Sequence, residues 1–274
     1  MSIELAGYSL PNVIVICRRD NRVDNYGGNN MFRLIFTLLF ILLFLILSIP
    51  FILVEKIIGR FNKELKDLHY LRGVQWAFNR ALDICGTKTT VIGAENIPDE
   101  PVLYVGNHRS IFDIVVTYPL VPRITGYVSK KEVEKIPLLA TWMRNLNCLF
   151  LDRTSTREGL KVILAAIEHV KNGISICIFP EGGRNKGEEL SILPFKDGAL
   201  KISTKTNCAI IPMSINNTEA IFEKQFPLVK KTHVVVEFGK PIYPDDLPPE
   251  DKKRIGAYLQ NIIHETIIKN SELV

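Results

Sequence analysis

Clustered cysteines, clustered histidines and internal repeats are what this 274-residue sequence lacks. Its five cysteines, Cys17, Cys85, Cys148, Cys177 and Cys208, are odd in number and form no CxxC pair. Three lie in apolar runs, which fits reduced structural thiols better than a disulfide framework. The five histidines are dispersed without metal-ligand spacing, so no metal site is expected. With 23% charged and 47% hydrophobic residues, no stretch is polar or repetitive enough for extended disorder. The surplus of Lys and Arg, a formal charge of +5, is small and scattered. It argues against nucleic acid and fits anionic lipid head groups or a phosphorylated ligand. The length suits one domain of about 100–200 residues plus an appendage.

Charge is missing altogether from Leu34 to Val54, LIFTLLFILLFLILSIPFILV. At ~1.5 Å per residue, about 20 such residues match a hydrocarbon core of roughly 30 Å. The run predicts a membrane-embedded helix that kinks or exits at Pro50. It is too long for the h-region of a signal peptide, about 7–15 residues, and no small-x-small site follows it. Arg18, Arg19, Arg22 and Arg33 precede it and Lys56, Arg60, Lys63 and Lys66 follow, so charge bias leaves the orientation open. Residues 1–30 read as a leader that is disordered or untranslated, with Met31 a possible start. Beyond the run, Ile57, Ile58, Phe61, Leu65 and Leu68 recur at helical spacing, then Val74, Phe78, Ala81 and Leu82. This stretch reads as an amphipathic helix, lying on a bilayer or packed on the domain. The anchor is thus expected over 31–85, with its span at 34–54, and a separate domain over 86–274.

That domain alternates short apolar runs with amphipathic stretches. Strands are expected at Val102–Val105, Ile124–Val128, Cys148–Leu151, Ile174–Phe179, Ala209–Met213 and His233–Phe238. Ser155 and Glu158 form a capping box ahead of Leu160, Ile163, Leu164 and Ile167, with Gly173 as a stop. A last helix is expected from about Pro248–Glu250 through Ile255, Leu259, Ile262 and Ile263. The fold class is α/β: a mixed, largely parallel sheet covered by helices on both faces. Sites on such sheets gather where loops leave the carboxyl ends of strands.

Polar motifs sit at those places. Asn107-His108-Arg109-Ser110-Ile111-Phe112-Asp113 follows the run VLYVG. Five positions on one continuous helix would turn Asp113 about 140° from His108. The two meet only if His108 lies in the turn and Asp113 in the first helical turn, with Ser110 as N-cap. Asp113 would then fix the imidazole tautomer and leave the other ring nitrogen basic. Alternatively, His108 is a polar loop residue and Asp113 a helix cap. Phe150-Leu151-Asp152-Arg153 ends an apolar run in a forked cation suited to phosphate oxygens, or to a salt bridge with Asp152 or Glu158. Phe179-Pro180-Glu181-Gly182-Gly183-Arg184 makes a turn that can aim a carboxylate and a guanidinium at one ligand. No Gly-x-Ser-x-Gly elbow is present, so an acyl-serine intermediate has no support.

Together these blocks resemble the glycerolipid acyltransferases, in particular the 1-acylglycerol-3-phosphate acyltransferase family. His108 to Asp113 resembles its NHxxxxD block, Phe150 to Arg153 its second block, Phe179 to Arg184 its FPEG(T/S)R block and Ile211-Pro212-Met213 its late proline block. Ser129-Lys130-Lys131-Glu132 and Leu193-Pro194-Phe195-Lys196 also resemble family segments, over about residues 90–240. Gly183 departs from the usual hydroxyl residue, which loses one hydrogen bond but lets backbone N–H groups approach an anion.

The resemblance implies acyl transfer from a thioester, on coenzyme A or acyl carrier protein, to the sn-2 hydroxyl of lysophosphatidic acid, giving phosphatidic acid. It implies His108 and Asp113 as the catalytic pair, and Asn107, Lys130, Arg153, Glu181, Gly182, Gly183 and Arg184 as binding residues, with no cofactor. Lys196 reads as a solvated or helix-flanking charge. A lipid bilayer is the expected partner, with the domain on the cytoplasmic face where soluble thioesters are found. The alternatives are glycerol 3-phosphate or another lysolipid as acceptor, or a non-catalytic lipid-phosphate-binding membrane protein.

Overall fold

Alternation along one strand shows how the sheet is covered. In β3 (Leu103–Gly106), Leu103 and Val105 enter one apolar layer while Tyr104 enters the other, as the two-residue period of a strand requires. The computed structural model describes residues 13–16 and 30–274. The leader expected at 1–30, with Cys17 and the preceding arginines, lies outside the described residues except for Asn30 and β1 (Val13–Ile16).

Among the described residues the sheet has eight strands in the order β1-β2-β8-β7-β3-β6-β4-β5. The others are β2 (Lys88–Ile92), β4 (Thr125–Lys130), β5 (Leu149–Leu151), β6 (Ser175–Ile178), β7 (Ile210–Asn216) and β8 (His233–Phe238). From β7 to β5 every pair is parallel; β8 runs antiparallel to β7, β2 parallel to β8, and β1 antiparallel to β2. The sheet is mixed and largely parallel, as expected. Buried on both faces, its central strands are largely apolar, with Ser175, Ser214 and Asn216 the buried polar exceptions in β6 and β7.

Helices α6 (Thr156–Lys171), α7 (Asp197–Thr206) and α9 (Ile255–Asn270) bring Ile167, Leu200 and Leu259 onto one face. On the other face, α3 (Lys63–Cys85), α4 (Phe112–Thr117) and α5 (Pro137–Asn145) supply Tyr70, Phe112 and Trp142. Half of the expected capping box forms: Ser155 Oγ accepts from the Glu158 N–H at 3.2 Å, while the Glu158 carboxylate pairs with Lys161. The last helix is divided, a short α8 (Pro249–Lys253) breaking at Arg254 before α9 begins.

The apolar run forms α1 (Asn30–Leu47) and α2 (Ile49–Phe61). The chain breaks at Ser48 rather than at Pro50, because proline is tolerated in the first turn of α2, where its missing N–H has no intrahelical partner anyway. Helix α1 has 18 residues, a mean hydropathy of 2.5 and only 6% of its window buried, and its length is about 27 Å. It is the one described helix long and apolar enough to cross a membrane. Its inner side is fastened to the domain by Trp142. That ring stacks on Phe51 (5.4 Å, 8°), meets Phe44 and Tyr70 at 5.0 Å each, and donates its Nε1–H to Ser48 Oγ at 2.8 Å. Helix α3 packs on the domain through Leu71, Val74, Ala81 and Leu82, which are buried, while Leu65, Leu68 and Trp76 remain exposed.

The four described cysteines are free and buried. Burial pushes the Cys148 thiol up to about 12 and raises that of Cys177 as well. Thiolate is the reactive form, so at pH 8 iodoacetamide is expected to leave both unmodified in the folded protein and to label them in urea, as counted by peptide mass spectrometry. Native labelling at the rate of a free thiol would contradict the burial.

Candidate active site

Four parallel-strand ends meet at one mouth. His108 follows β3, Glu181 follows β6, Thr218 follows β7 and Arg153 follows β5. The central three are adjacent, β3 pairing with both β6 and β7.

The sequence makes the first turn by pinning Asn107. Its carboxamide donates to the Ile215 carbonyl at 2.9 Å and accepts the Ile215 N–H at 2.8 Å, so it clamps β3 to β7. At 2% exposure, with both amide atoms used by β7, Asn107 positions the loop rather than facing a substrate.

His108 and Asp113 meet as the spacing required. His108 Nδ1 lies 2.8 Å from Asp113 Oδ2, while Nε2 has no protein partner among the described residues. The same Oδ2 accepts the N–H groups of Arg109 at 2.8 Å and Ser110 at 2.9 Å. The other oxygen, Oδ1, accepts the Thr218 hydroxyl. Asp113 is fully buried, and these donors satisfy a carboxylate that burial would otherwise penalise heavily. Helix α4 starts at Phe112, and the Ser110 hydroxyl accepts the Phe112 N–H at 2.9 Å instead of capping the third helical residue. The helix begins slightly later than read, yet Asp113 still sits in its first turn.

Glu181 holds two loops together. Its Oε1 accepts the His108 N–H at 2.6 Å and its Oε2 the Leu193 N–H at 2.9 Å. Burial pushes this carboxyl above its usual range, opposed by those two N–H groups. The Phe179 ring stacks on the imidazole, centroids 4.4 Å apart at 15°. Arg109, a residue the sequence reading passed over, ties the rim down. It donates to Glu219 Oε1 at 2.9 Å and to the carbonyls of Glu188 and Gly187 at 3.0 and 3.1 Å.

The cations expected to bind differ in their freedom. Arg184 donates to Glu223 Oε1 at 2.9 Å, and Glu223 also accepts the Ser110 hydroxyl and the Ile111 N–H. Lys130 is exposed and paired with Glu132 at 3.0 Å. Arg153 enters neither salt bridge envisaged for it: Asp152 is bonded to Thr154 and paired with Lys131, and Glu158 is paired with Lys161. Its guanidinium lies beside Gly183, Nη1 3.4 Å from where a Cβ would stand. No group of three or more metal-ligating side chains exists among the described residues.

An imidazole–carboxylate pair and a glycine turn thus share one mouth of an α/β sheet, an arrangement suited to general-base chemistry. Residues 88–216 match the family model described as Acyltransferase. Over that segment, just under half of the chain, it is similar to the acyltransferase family. It is 29% identical over 178 residues to a 1-acyl-sn-glycerol-3-phosphate acyltransferase of Saccharomyces cerevisiae, covering 65% of this chain and 58% of that one. It is 31% identical over 182 residues to the one of Cocos nucifera, covering 65% and 56%. The chain therefore spans somewhat over half the length of these two. For the one of Borreliella burgdorferi the identity is 29% over 199 residues, covering 71% and 76%. The crystal structure of the 1-acyl-sn-glycerophosphate (LPA) acyltransferase PlsC from Thermotoga maritima superposes with a TM-score of 0.76 at 25% identity, covering 88% of this chain and 96% of that one.

An amide at position 181 offers one acceptor oxygen where two backbone N–H groups need one each. Glu181→Gln is therefore expected to cost about 1–3 kcal/mol. That corresponds to a fall in Tm of about 2–4 °C per kcal/mol, read by thermal denaturation. An unchanged Tm would show that the two bonds do not hold the loops.

Proposed function

We propose that this protein acylates lysophosphatidic acid at its free hydroxyl, using an acyl thioester and giving phosphatidic acid. One observation carries the reading: His108 Nδ1 is fixed on a buried carboxylate at 2.8 Å while Nε2 stays unpartnered at the mouth of the sheet. The names of the relatives supply the acceptor class.

In this reading Nε2 takes the proton of the acceptor hydroxyl as its oxygen attacks the thioester carbonyl. The tetrahedral intermediate collapses, the carbon–sulfur bond breaks, and the departing thiolate takes the proton back from His108. No charge is left on the protein at the end. Asp113 holds the tautomer and stabilises the transient imidazolium. A positioned base contributes about 10²–10⁴ in rate; alignment of two substrates supplies much of the rest. The acceptor phosphate is assigned to the cations at the Gly182–Gly183 turn. The donor is coenzyme A-linked or carried on acyl carrier protein.

The bilayer completes the proposal. Phe36, Leu39, Leu43 and Leu47 of α1 and Leu53, Ile57 and Phe61 of α2 are exposed, an apolar surface that water does not favour. Both a lysolipid and its product reside in the membrane, so an anchor brings the site to their plane. Soluble intracellular thioesters put the domain on the cytoplasmic face.

The test is phosphatidate formation by purified protein with lysophosphatidate and either acyl-CoA or acyl carrier protein thioester. His108→Ala is expected to lower kcat by about 10²–10⁴, and Asp113→Asn to lower it with little change in substrate KM. Glycerol 3-phosphate and other lysolipids as acceptors, and fatty acid release without acceptor, separate the neighbouring activities. Equal rates for wild type and His108→Ala would sink the assignment.

A further inference from the structure

The turn after β6 leaves two adjacent backbone positions bare, and a cation from a different element fills the space above each. Gly182 has φ +77°, and a methyl group built on it would lie 2.6 Å from Lys196 Nζ and 3.0 Å from Lys196 Cε. Real Cβ atoms do not approach so closely, so the lysine tip occupies the room that the missing side chain vacates. At Gly183 the neighbour is Arg153 Nη1, at 3.4 Å. Successive Cα atoms are about 3.8 Å apart, so two positive groups from β5 and the start of α7 lie over one short stretch of chain.

Neither cation is neutralised by an ion pair among the described residues. The acid next to Lys196 is turned away, Asp197 Oδ1 accepting the Gly256 N–H at 3.1 Å. Glu181 spends both oxygens on the His108 and Leu193 N–H groups. Asp152 and Glu158 are held by Thr154, Lys131 and Lys161. Two unpaired cations side by side repel, and the arrangement gains only when an anion sits between them.

The backbone ties this turn and the start of α7 to the segment stacked on the imidazole. Gly182 N–H donates to the Phe179 carbonyl at 3.1 Å, the Phe179 ring stacks on His108, and Lys196 N–H donates to the Pro180 carbonyl at 3.0 Å. Helix α7 begins at this point, with Lys196 as its N-cap residue.

We propose that Lys196, with Arg153, forms a two-cation clamp for a phosphomonoester dianion over the Gly182–Gly183 turn. Lys196 is then the residue that selects a terminal phosphate over a phosphodiester or uncharged head group. This rests on the proposed acylation of a phosphorylated acceptor. It moves the lysine role expected at Lys130, whose ammonium is engaged by Glu132, to Lys196.

The experiment compares wild type, Lys196→Gln, Lys196→Arg and Lys205→Gln, the last removing an exposed charge from the far end of α7. Lys196→Gln is expected to raise the KM for lysophosphatidate about 10–100-fold, the worth of one charge-assisted hydrogen bond. Its kcat and its KM for the thioester stay within about threefold, and its preference for lysophosphatidate over monoacylglycerol falls by a similar factor. Lys196→Arg restores most of the KM, and Lys205→Gln matches wild type. Binding of glycerol 3-phosphate by calorimetry is read on the same proteins. If wild type acylates nothing yet binds glycerol 3-phosphate and Lys196→Gln does not, the clamp stands and the acylation reading fails. A Lys196→Gln protein with wild-type KM and wild-type phosphate binding overturns the clamp.

Discussion

A carboxylate with no access to water is the constraint on which this site depends. Asp113 is fully buried, and an isolated buried charge is too costly to persist without donors. It collects them from four groups: the His108 ring, two successive backbone N–H groups and the Thr218 hydroxyl. Three of these lie within five residues of it, so the turn after β3 takes its shape around the charge. The fourth comes from the end of β7, which makes the imidazole's orientation a property of the sheet rather than of one loop. Breaking any single bond leaves the others to hold the histidine, while removing the charge undoes all four.

The same logic separates the surrounding charges into those that hold and those that are free to bind. Glu181, Glu219 and Glu223 each accept from the backbone or from an arginine and so join loops that the sheet alone leaves unconnected. Arg109 and Arg184 are their counterparts, and their donors are largely committed. Arg153 and Lys196 stand apart, with acids nearby that point elsewhere. Among the described residues these two have no ion-pair partner, which is why the proposed anion is assigned to them.

Much of this was legible in the order of residues. Six expected strands coincide closely with observed ones because apolar runs bounded by turn residues leave little choice in a sheet covered on both faces. β2 escaped notice: in Lys88-Thr89-Thr90-Val91-Ile92 only the last two residues are apolar, and Thr89 and Thr90 are buried through a neighbour, β8, that begins over 140 positions later. The meeting of His108 and Asp113 was readable because it is local. Thr218 and Glu223 were not, since each reaches its partner across more than 100 positions, 105 for Thr218 to Asp113 and 113 for Ser110 to Glu223. Lys196 looked like a solvated charge because nothing in a linear motif shows that a left-handed glycine fourteen residues earlier makes room for its ammonium.

The loop that carries Glu223 also joins the apolar helix α1 to the polar site. Glu223 binds the first turn before α4 and the Arg184 guanidinium, and a few residues on, the Val229 N–H donates to the Asn30 carbonyl at 3.2 Å, at the start of α1. The apolar helix therefore begins against the same segment that braces the turn between His108 and Asp113. Phe226, between these two attachments, is 73% exposed, and Ile111, whose N–H Glu223 accepts, is 54% exposed. Apolar surface thus continues from the anchor towards the rim of the site instead of stopping at the domain boundary. In the proposed reaction an amphiphilic acceptor would keep its acyl chain in apolar contact while its phosphate reaches cations and its hydroxyl reaches His108.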